Sequence, residues 1–320
     1  MIKFGIIGCP HGKVSSVKKI IKRFKKEKVD AIILPGDINS EKKAYQSILK
    51  ILSSLSKLKK PVYVIPGSHE PVKAYERALN NFKKNKYIID CTQKKNRRRK
   101  INSYELVFLP GSGWLSGEGG FVLKDSRKVF KKKTRRYISK YYGVPVKLFY
   151  VKDLKKLVKH PEKTILISHF PPKFNKPGAI DVAKFGRLKS KKLKFKVKSP
   201  DKKELENVML LWQGLIKDTV FELHIAEKLI KKGYPLKILN KNVGSEEIKK
   251  AIKKLKIKKQ ICSHIHEAGQ RGCDSKGNLI KQGKWSKELF YNPGSAKEGK
   301  AGTYIIEKDK AKYKNIKVKA

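Results

Sequence analysis

The chain has 320 residues, 39% of them hydrophobic, which is enough for one large domain or two ordinary ones and too many for a disordered chain. Lys and Arg number 79 against 27 Asp and Glu, a formal charge of +52, and a surface so charged repels itself unless counterions or a polyanion screen it. No apolar run reaches the roughly 18 residues a membrane span needs, and the opening MIKFGIIGCPHGK turns polar too soon for a secretory leader.

Residues 2–8 read as a buried strand. Residues 14–27 follow as a helix with Val17, Ile20, Ile21 and Phe24 on one face, the 3.6-residue period of an amphipathic helix. A second strand at 31–36, a second helix at 41–58 and a third strand at 61–67 complete a βαβαβ opening, which implies a parallel sheet covered by helices. Further strands are expected at 103–109, 164–168, 259–262, 288–292, 302–307 and 312–318, the last three antiparallel across short turns. A glycine-serine loop, GSGWLSGEGG, occupies 111–120 and precedes basic residues 124–136 and a helical 151–159. From about Ala183 to Lys241 the pattern is a lysine-rich stretch followed by one helix. Ser199-Pro200-Asp201 starts that helix, and Gly233 with Pro235 ends it. The whole is a mixed α/β protein, with two sheets if all these strands pair.

Cys9, Cys91, Cys262 and Cys273 lie far apart with no CxxC pair, the pattern of a reduced, cytoplasmic protein rather than a disulfide scaffold or zinc ribbon.

Chemistry is signalled at the carboxyl ends of the strands, where open α/β sheets place their ligands. Gly8-Cys9-Pro10-His11-Gly12 follows the first strand, Gly36-Asp37 the second and Gly67-Ser68-His69-Glu70 the third. Ser168-His169-Phe170-Pro171-Pro172 and Ser263-His264-Ile265-His266-Glu267 follow two later ones. Five of the 7 histidines therefore stand directly after strands; His160 and His224 do not. Imidazoles and a carboxylate gathered on one edge are the ligands of a divalent cation, and neutral imidazole suits Zn, Fe, Mn or Ni. The period-two spacing of His264 and His266 lets both rings face one side of an extended segment.

The order GCPHG, PGD, PGSHE, SHFPP and SHIHE, followed by Tyr291-Asn292-Pro293-Gly294-Ser295, resembles the calcineurin-like metallophosphoesterases, whose signature is D-x-H, G-D, G-N-H-[ED], H and G-H-x-H. The resemblance implies a four-layer α/β/β/α sandwich of two mixed sheets flanked by helices. It implies a single domain over 1–320, interrupted by a basic and helical insertion at 183–241. It also implies one or two divalent cations (Zn, Fe or Mn) per chain. The first cation would take Cys9, His11, Asp37 and His266; the second would take Asp37 as bridge, Ser68, His169 and His264. In the family, hydroxide on the metals attacks a phosphomono- or diester, and the residue at His69 assists the leaving group.

The sequence departs from the signature at Cys9, where the family has aspartate, and at Ser68, where it has asparagine. A thiolate near a cation restores the lost charge and softens the first site towards Zn or Fe. Serine reaches one bond less far than an amide oxygen, so the second cation would bind weakly or through water.

Positive charge is clustered. One run contains Lys94, Lys95, Arg97, Arg98 and Arg99; a second contains Lys131, Lys132, Lys133, Arg135 and Arg136; a third extends from Lys189 to Lys198 and includes Lys191 and Lys192. Only 10 of the cations are arginine, and lysine suits phosphate contact better than base reading. Nearby aromatic residues suit single-stranded or irregular RNA. Two readings stay open: a phosphoesterase acting on a nucleotide or nucleic-acid substrate, or an RNA- or ribosome-associated protein that keeps the fold with a weakened site.

Overall fold

The chain opens with strand β1 (Ile2–Ile6), helix α1 (Val14–Glu27), β2 (Ala31–Pro35), α2 (Ala44–Ser56), β3 (Val62–Ile65), α3 (Val72–Asn80) and β4 (Ile88–Asp90). The computed structural model describes residues 1–39, 43–113, 119–124, 145–190, 202–217 and 220–320. α1 forms because Val17, Ile20 and Phe24 recur on one face and are fully buried; it stops at Lys28, whose φ of 51° is left-handed, a common helix ending. β1 to β4 run parallel in sequence order. On the other side of β1 lies β17 (Lys300–Glu307), antiparallel in the register Phe4↔Tyr304, and beyond it β18 (Lys310–Lys317).

A seven-stranded sheet lies against this six-stranded one. Its order is β15 (Leu279–Ile280), β14 (Arg271–Cys273), β16 (Leu289–Asn292), β13 (Lys259–Ile261), β9 (Thr164–Ser168), β6 (Tyr104–Leu109) and β5 (Arg98–Ile101). Phe4, Ile6, Ile33 and Ile65 of the first sheet meet Phe108, Ile165, Ile167 and Tyr291 of the second in one buried cluster. The alternate residues Ile32, Leu34, Val62 and Val64 turn outward under Ile20, Ile51 and Leu79 of the first three helices. On the opposite outer face Leu166 and Phe290 turn towards Ile248 and Ile252 of the helix Glu246–Lys254. Strand alternation thus gives each sheet one face for the other sheet and one for helices, the expected helix-sheet-sheet-helix layering.

Three expectations need correction. The strand β16 does not join β17 and β18; it pairs parallel with β13, because Leu289 and Tyr291 are needed in the inter-sheet core. The helix expected over 151–159 shrinks to Leu154–Leu157 behind a single 3-10 turn. The stretch 183–241 holds more than one helix. β10 (Val182–Leu188) and β12 (Leu236–Asn242) pair antiparallel along their whole length, with β11 (Phe221–Glu222) on β10's other side. Helices Lys202–Lys217 and Leu223–Lys231 lie between them in sequence. The break falls at Val220 and Phe221, a β-branched and an aromatic residue that favour strand. Gly186 permits the second helix to lie on β10, since a Cβ there would be 2.2 Å from that of Ala226. The remaining described strands, Phe121–Lys124 and Lys147–Tyr150, form a parallel pair. No helix among the described residues is long and apolar enough to cross a membrane.

Candidate metal centre

The loops after β1, β2, β3, β9 and β13 converge on the carboxylate of Asp37, which is 2% exposed. Its Oδ1 accepts the backbone N–H groups of Ser68 (2.6 Å) and His69 (3.1 Å), and the Ser68 hydroxyl reaches Oδ1 and Oδ2 at 3.1 and 3.0 Å. The loop after β1 is tied to this turn through His11 N–H to Asp37 O (2.9 Å) and Gly12 N–H to Ile38 O (2.8 Å). Four ligand candidates hold left-handed backbone: Cys9 (φ 45°), His11 (41°), Asp37 (54°) and His264 (71°). Each such conformation costs about 1–3 kcal/mol in a non-glycine residue, and strain of this kind gathers at functional sites.

Two pairs of ring nitrogens face each other across Asp37. His169 Nε2 lies 3.0 Å from His264 Nδ1 and 3.1 Å from Asp37 Oδ2; His11 Nε2 lies 3.3 Å from His266 Nε2 and 4.0 Å from Asp37 Oδ2. The other nitrogen of His169 lies 2.7 Å from Pro35 O, so it carries a proton and leaves Nε2 to face the centre. Cys9 Sγ is fully buried, 4.0 Å from Asp37 Oδ2, and accepts the His264 N–H at 3.3 Å. The donor atoms of Cys9, His11 and His266 fall within 4.8 Å of one another, as do those of Cys9, Asp37 and His169, and those of His11, Asp37 and His69.

Electrostatics suit a cation. Burial lowers His11 to about 3, burial takes His264 well below its ordinary value, and burial lowers His266, so these three rings are neutral near pH 7, the form that ligates metal. At His169 burial acts the same way, but the Asp37 charge and hydrogen bond outweigh it and the pKa rises. Burial and then the Asp37 charge push the Cys9 thiol well up. Facing lone pairs at 3.0 and 3.3 Å, with a buried carboxylate between them, need a proton or a cation to neutralise them, and this mixed N/O/S set suits a divalent cation.

Glu70 was visible only as the last letter of PGSHE. Its carboxylate is fully buried and accepts Gly67 N–H (2.6 Å) and Ile38 N–H, joining the turns on either side of Asp37. Burial and then Asp37 push its pKa up to about 7.

A cavity of about 660 Å³ opens over the cluster, with His11, Asp37, Ser68, His69, His264 and His266 on its floor. His69 packs edge-on to His11 with ring centroids 4.9 Å apart. Lys297 and Glu298 come from the turn before β17 and Lys300 begins that strand, while Lys184 of β10 and His224 and Glu227 of the helix Leu223–Lys231 form the far wall. Sequence reading passed over these wall residues because they stand one at a time in segments without a motif.

The basic runs are placed elsewhere. Lys94, Lys95 and Arg99 are exposed on and before the edge strand β5, outside the cavity lining. Arg97 and Arg98 are engaged within the protein: Arg97 lies 2.9 Å from Asp153 and over the Phe149 ring, and Arg98 pairs with Glu105 while staying partly exposed, charge-assisted bonds stronger than neutral ones. Lys131, Lys132, Lys133, Arg135, Arg136, Lys191 and Lys192 lie outside the described residues.

No curated protein is significantly similar to this chain. Among solved structures it is similar to a dimetal phosphatase from Danio rerio, at 12% identity over 99% of this chain and 97% of that one, with a TM-score of 0.54. It is also similar to TT1561 of Thermus thermophilus, at 13% identity over 98% of each chain, with a TM-score of 0.50. Both likenesses speak for the fold. The calcineurin-like phosphoesterase family model matches residues 2–198, the stretch holding Cys9, His11, Asp37, Ser68, His69 and His169, and the fold then brings His264 and His266 to the same carboxylate. The chain is therefore a member of the calcineurin-like phosphoesterase family.

Proposed function

We propose that this metal-dependent phosphoesterase hydrolyses phosphomonoesters or phosphodiesters of nucleotide or nucleic-acid type at the Asp37 cluster. The observation that carries the reading is the facing of the pairs His169/His264 and His11/His266 across one buried carboxylate. Cys9, His11, Asp37 and His266 would hold one divalent cation, and Asp37, Ser68, His169 and His264 a second. Bound there, the cations supply Lewis-acid charge to the phosphoryl oxygens and lower the pKa of a water.

The chain's own groups do the rest. Asp37 would be the ligand common to both, held by the donors from Ser68 and His69. Pro35 O holds the His169 tautomer. Cys9 would give up its proton on loading, since a thiolate and not a thiol is a metal ligand. Ser68 is the weak member: its hydroxyl already donates to Asp37. His69, on the cavity floor beside His11, would hand a proton to the leaving oxygen. Lys184 and Lys297 line the cavity beside Glu227 and Glu298, the latter paired with Lys300, so an anionic substrate would be drawn by the bound cations with these two lysines in support.

The test is metal content of the purified chain together with hydrolysis of p-nitrophenyl phosphate and bis-p-nitrophenyl phosphate under Zn, Fe and Mn. Asp37→Asn should abolish both metal retention and turnover, and His69→Ala should cut turnover about 100-fold with metal retained. Absence of bound metal and of turnover under all three ions would reject the reading.

A further inference from the structure

The motif Tyr291-Asn292-Pro293-Gly294-Ser295 contributes no ligand to the Asp37 cluster. It occupies the crossing from β16 in one sheet to β17 in the other. β16 lies parallel beside β13, and β17 lies antiparallel beside β1. The crossing therefore runs along the edge where the loops after β1 and β13 emerge, the loops that carry Cys9 with His11 and His264 with His266. Asn292 and Ser295 have no exposed surface and lie outside the cavity lining, so neither touches a substrate.

Both side chains spend their hydrogen bonds on those loops. The Ser295 hydroxyl donates to Cys9 O at 2.9 Å. Ala296 N–H donates to Gly8 O at 2.7 Å, and Lys297 N–H to Cys9 O at 3.3 Å. Cys9 is left-handed, with φ 45°, a conformation that a cysteine keeps only where its surroundings over-determine it. Three donors from one turn on two successive carbonyls do so. The Asn292 amide nitrogen donates to Ile265 O at 2.9 Å and to Ile180 O at 3.3 Å, and its oxygen accepts the Gly294 N–H at 2.9 Å. That orientation is forced, because an amide oxygen facing two carbonyl oxygens would find no hydrogen. Ile265 stands between His266 and His264, the latter also left-handed (φ 71°), so one bond holds the residue that spaces the two rings. Ile180 stands two residues before β10, whose Lys184 lines the cavity. The same amide thus ties the ligand loop to the root of the far wall.

We infer that Asn292 and Ser295 are positioning residues of the metal centre. Ser295 locks Cys9 in the conformation that brings its sulfur to 4.0 Å from Asp37 Oδ2, and Asn292 locks the spacing of His264 and His266. The inference takes its ligand sets from the function proposed above. It adds an asymmetry: Ser295 serves the Cys9 cation alone, while Asn292, through both histidines, serves the two.

The experiment follows three quantities in the full chain: Zn affinity by competition with a chromophoric chelator, the thiolate-to-metal band after cobalt substitution, and the imidazole nitrogen NMR signals of metal-free protein in EDTA. Ser295→Ala should weaken one Zn about tenfold, the loss expected when a ligand's support is removed, and shift the cobalt band. Asn292→Asp keeps the shape and the Gly294 bond but turns the donor into an acceptor; it should weaken Zn about 10–100-fold. In the metal-free chain Ser295→Ala should move the ring signals of His11, two residues beyond Cys9, and Asn292→Asp those of His264 and His266. His160, outside the cluster, should keep its own in both. Asn292→Ala, which buries no charge, repeats the test should the aspartate prevent folding. Tyr304→Phe is the control for a merely structural loss. It removes a buried hydroxyl that donates to Leu289 O at 3.1 Å and should lower Tm without moving Zn affinity, the band or the ring signals. Three results overturn the inference: parent-like Zn affinity and cobalt band in Ser295→Ala, unmoved His264 and His266 signals in the Asn292 variants, or Tyr304→Phe weakening Zn as much as either. A parent that takes up neither Zn nor cobalt rejects the phosphoesterase reading instead, and the metal-free ring signals still decide both roles.

Discussion

Gly67 lies where the site has no room. A methyl carbon built on it would stand 2.5 Å from Asp37 Oδ1, 2.6 Å from His169 Nδ1 and 2.7 Å from His169 Cε1, against an ordinary contact of about 3.5 Å. Gly67→Ala therefore needs displacements of about 1 Å, and neither neighbour yields easily. Asp37 is held by the Ser68 and His69 donors, and His169, with no exposed surface, is held by Pro35 O. Overpacking of this kind costs about 1–3 kcal/mol, or a fall in Tm of about 1.5–4.5 °C for a chain of this size. The larger effect falls on metal. Ligand positions tolerate about 0.2 Å, so a shift several times larger in two ligands should weaken Zn binding at least about tenfold, in line with losses from disturbed ligand supports. Calorimetry gives Tm and competition with a chromophoric chelator gives affinity. Gly233→Ala is the control: its φ of +84° also strains alanine, but nothing lies within 4 Å, so it should cost about 1–2 kcal/mol and leave metal affinity unchanged. Gly67→Ala with the parent's Zn affinity and Tm would refute the assignment of Asp37 and His169 to a common centre.

Restoring the family's ligands with Cys9→Asp and Ser68→Asn should raise p-nitrophenyl phosphate turnover about tenfold or more; an unchanged rate removes both positions from the ligand set. Cobalt substitution of the parent should give a thiolate-to-metal absorption band that Cys9→Asp abolishes, and its absence in the parent would leave Cys9 a buried thiol. In metal-free protein, folded His11 protonates at about 3 instead of 6.5, so its contribution to stability is complete above about pH 6.5 and is lost as pH falls towards 3. His264 and His266 act in the same direction and His169 opposes them; Tm in EDTA should fall on acidification, and His11→Asn should flatten that slope. Lys184→Ala and His224→Ala should raise KM several-fold for bis-p-nitrophenyl phosphate and leave kcat nearly unchanged; a fall in kcat alone would argue against a binding role for that wall.

How far the sequence reveals this architecture depends on whether a local signal serves a local structure. The βαβαβ opening was legible because Val17, Ile20 and Phe24 repeat with the helical period and the strands are apolar runs between glycines. The centre was legible because its ligands follow strands, and strand ends are where parallel sheets gather side chains from distant positions. β10 and β12 were not legible. Lysines at alternate and adjacent positions hide the strand period, and the pairing joins residues such as Arg187 and Lys237 that are 50 apart in sequence. The basic runs hide a different distinction: Arg97 and Arg98 look like their neighbours in sequence, and only the fold shows Asp153 and Glu105 within their reach.

On the ligand assignment proposed above, charge counting connects Cys9 to how many cations the centre can hold. Asp37 is the one carboxylate in the set; the four histidines and Ser68 are neutral ligands. With Cys9 as a thiol, the anionic charge facing the cations is one, and as a thiolate it is two. Cys9 and Asp37 are both almost fully out of contact with solvent, so each unit of charge acts at a low effective dielectric and is felt strongly. Cation loading and loss of the Cys9 proton are then a single equilibrium, and metal affinity should climb with pH. Ser68 offers no comparable gain, because its hydrogen already points at the carboxylate that would be shared. The two sites are thereby unequal: the one with Cys9, His11 and His266 gains an anion when it fills, and the one with Ser68, His169 and His264 must borrow its negative charge from Asp37 alone.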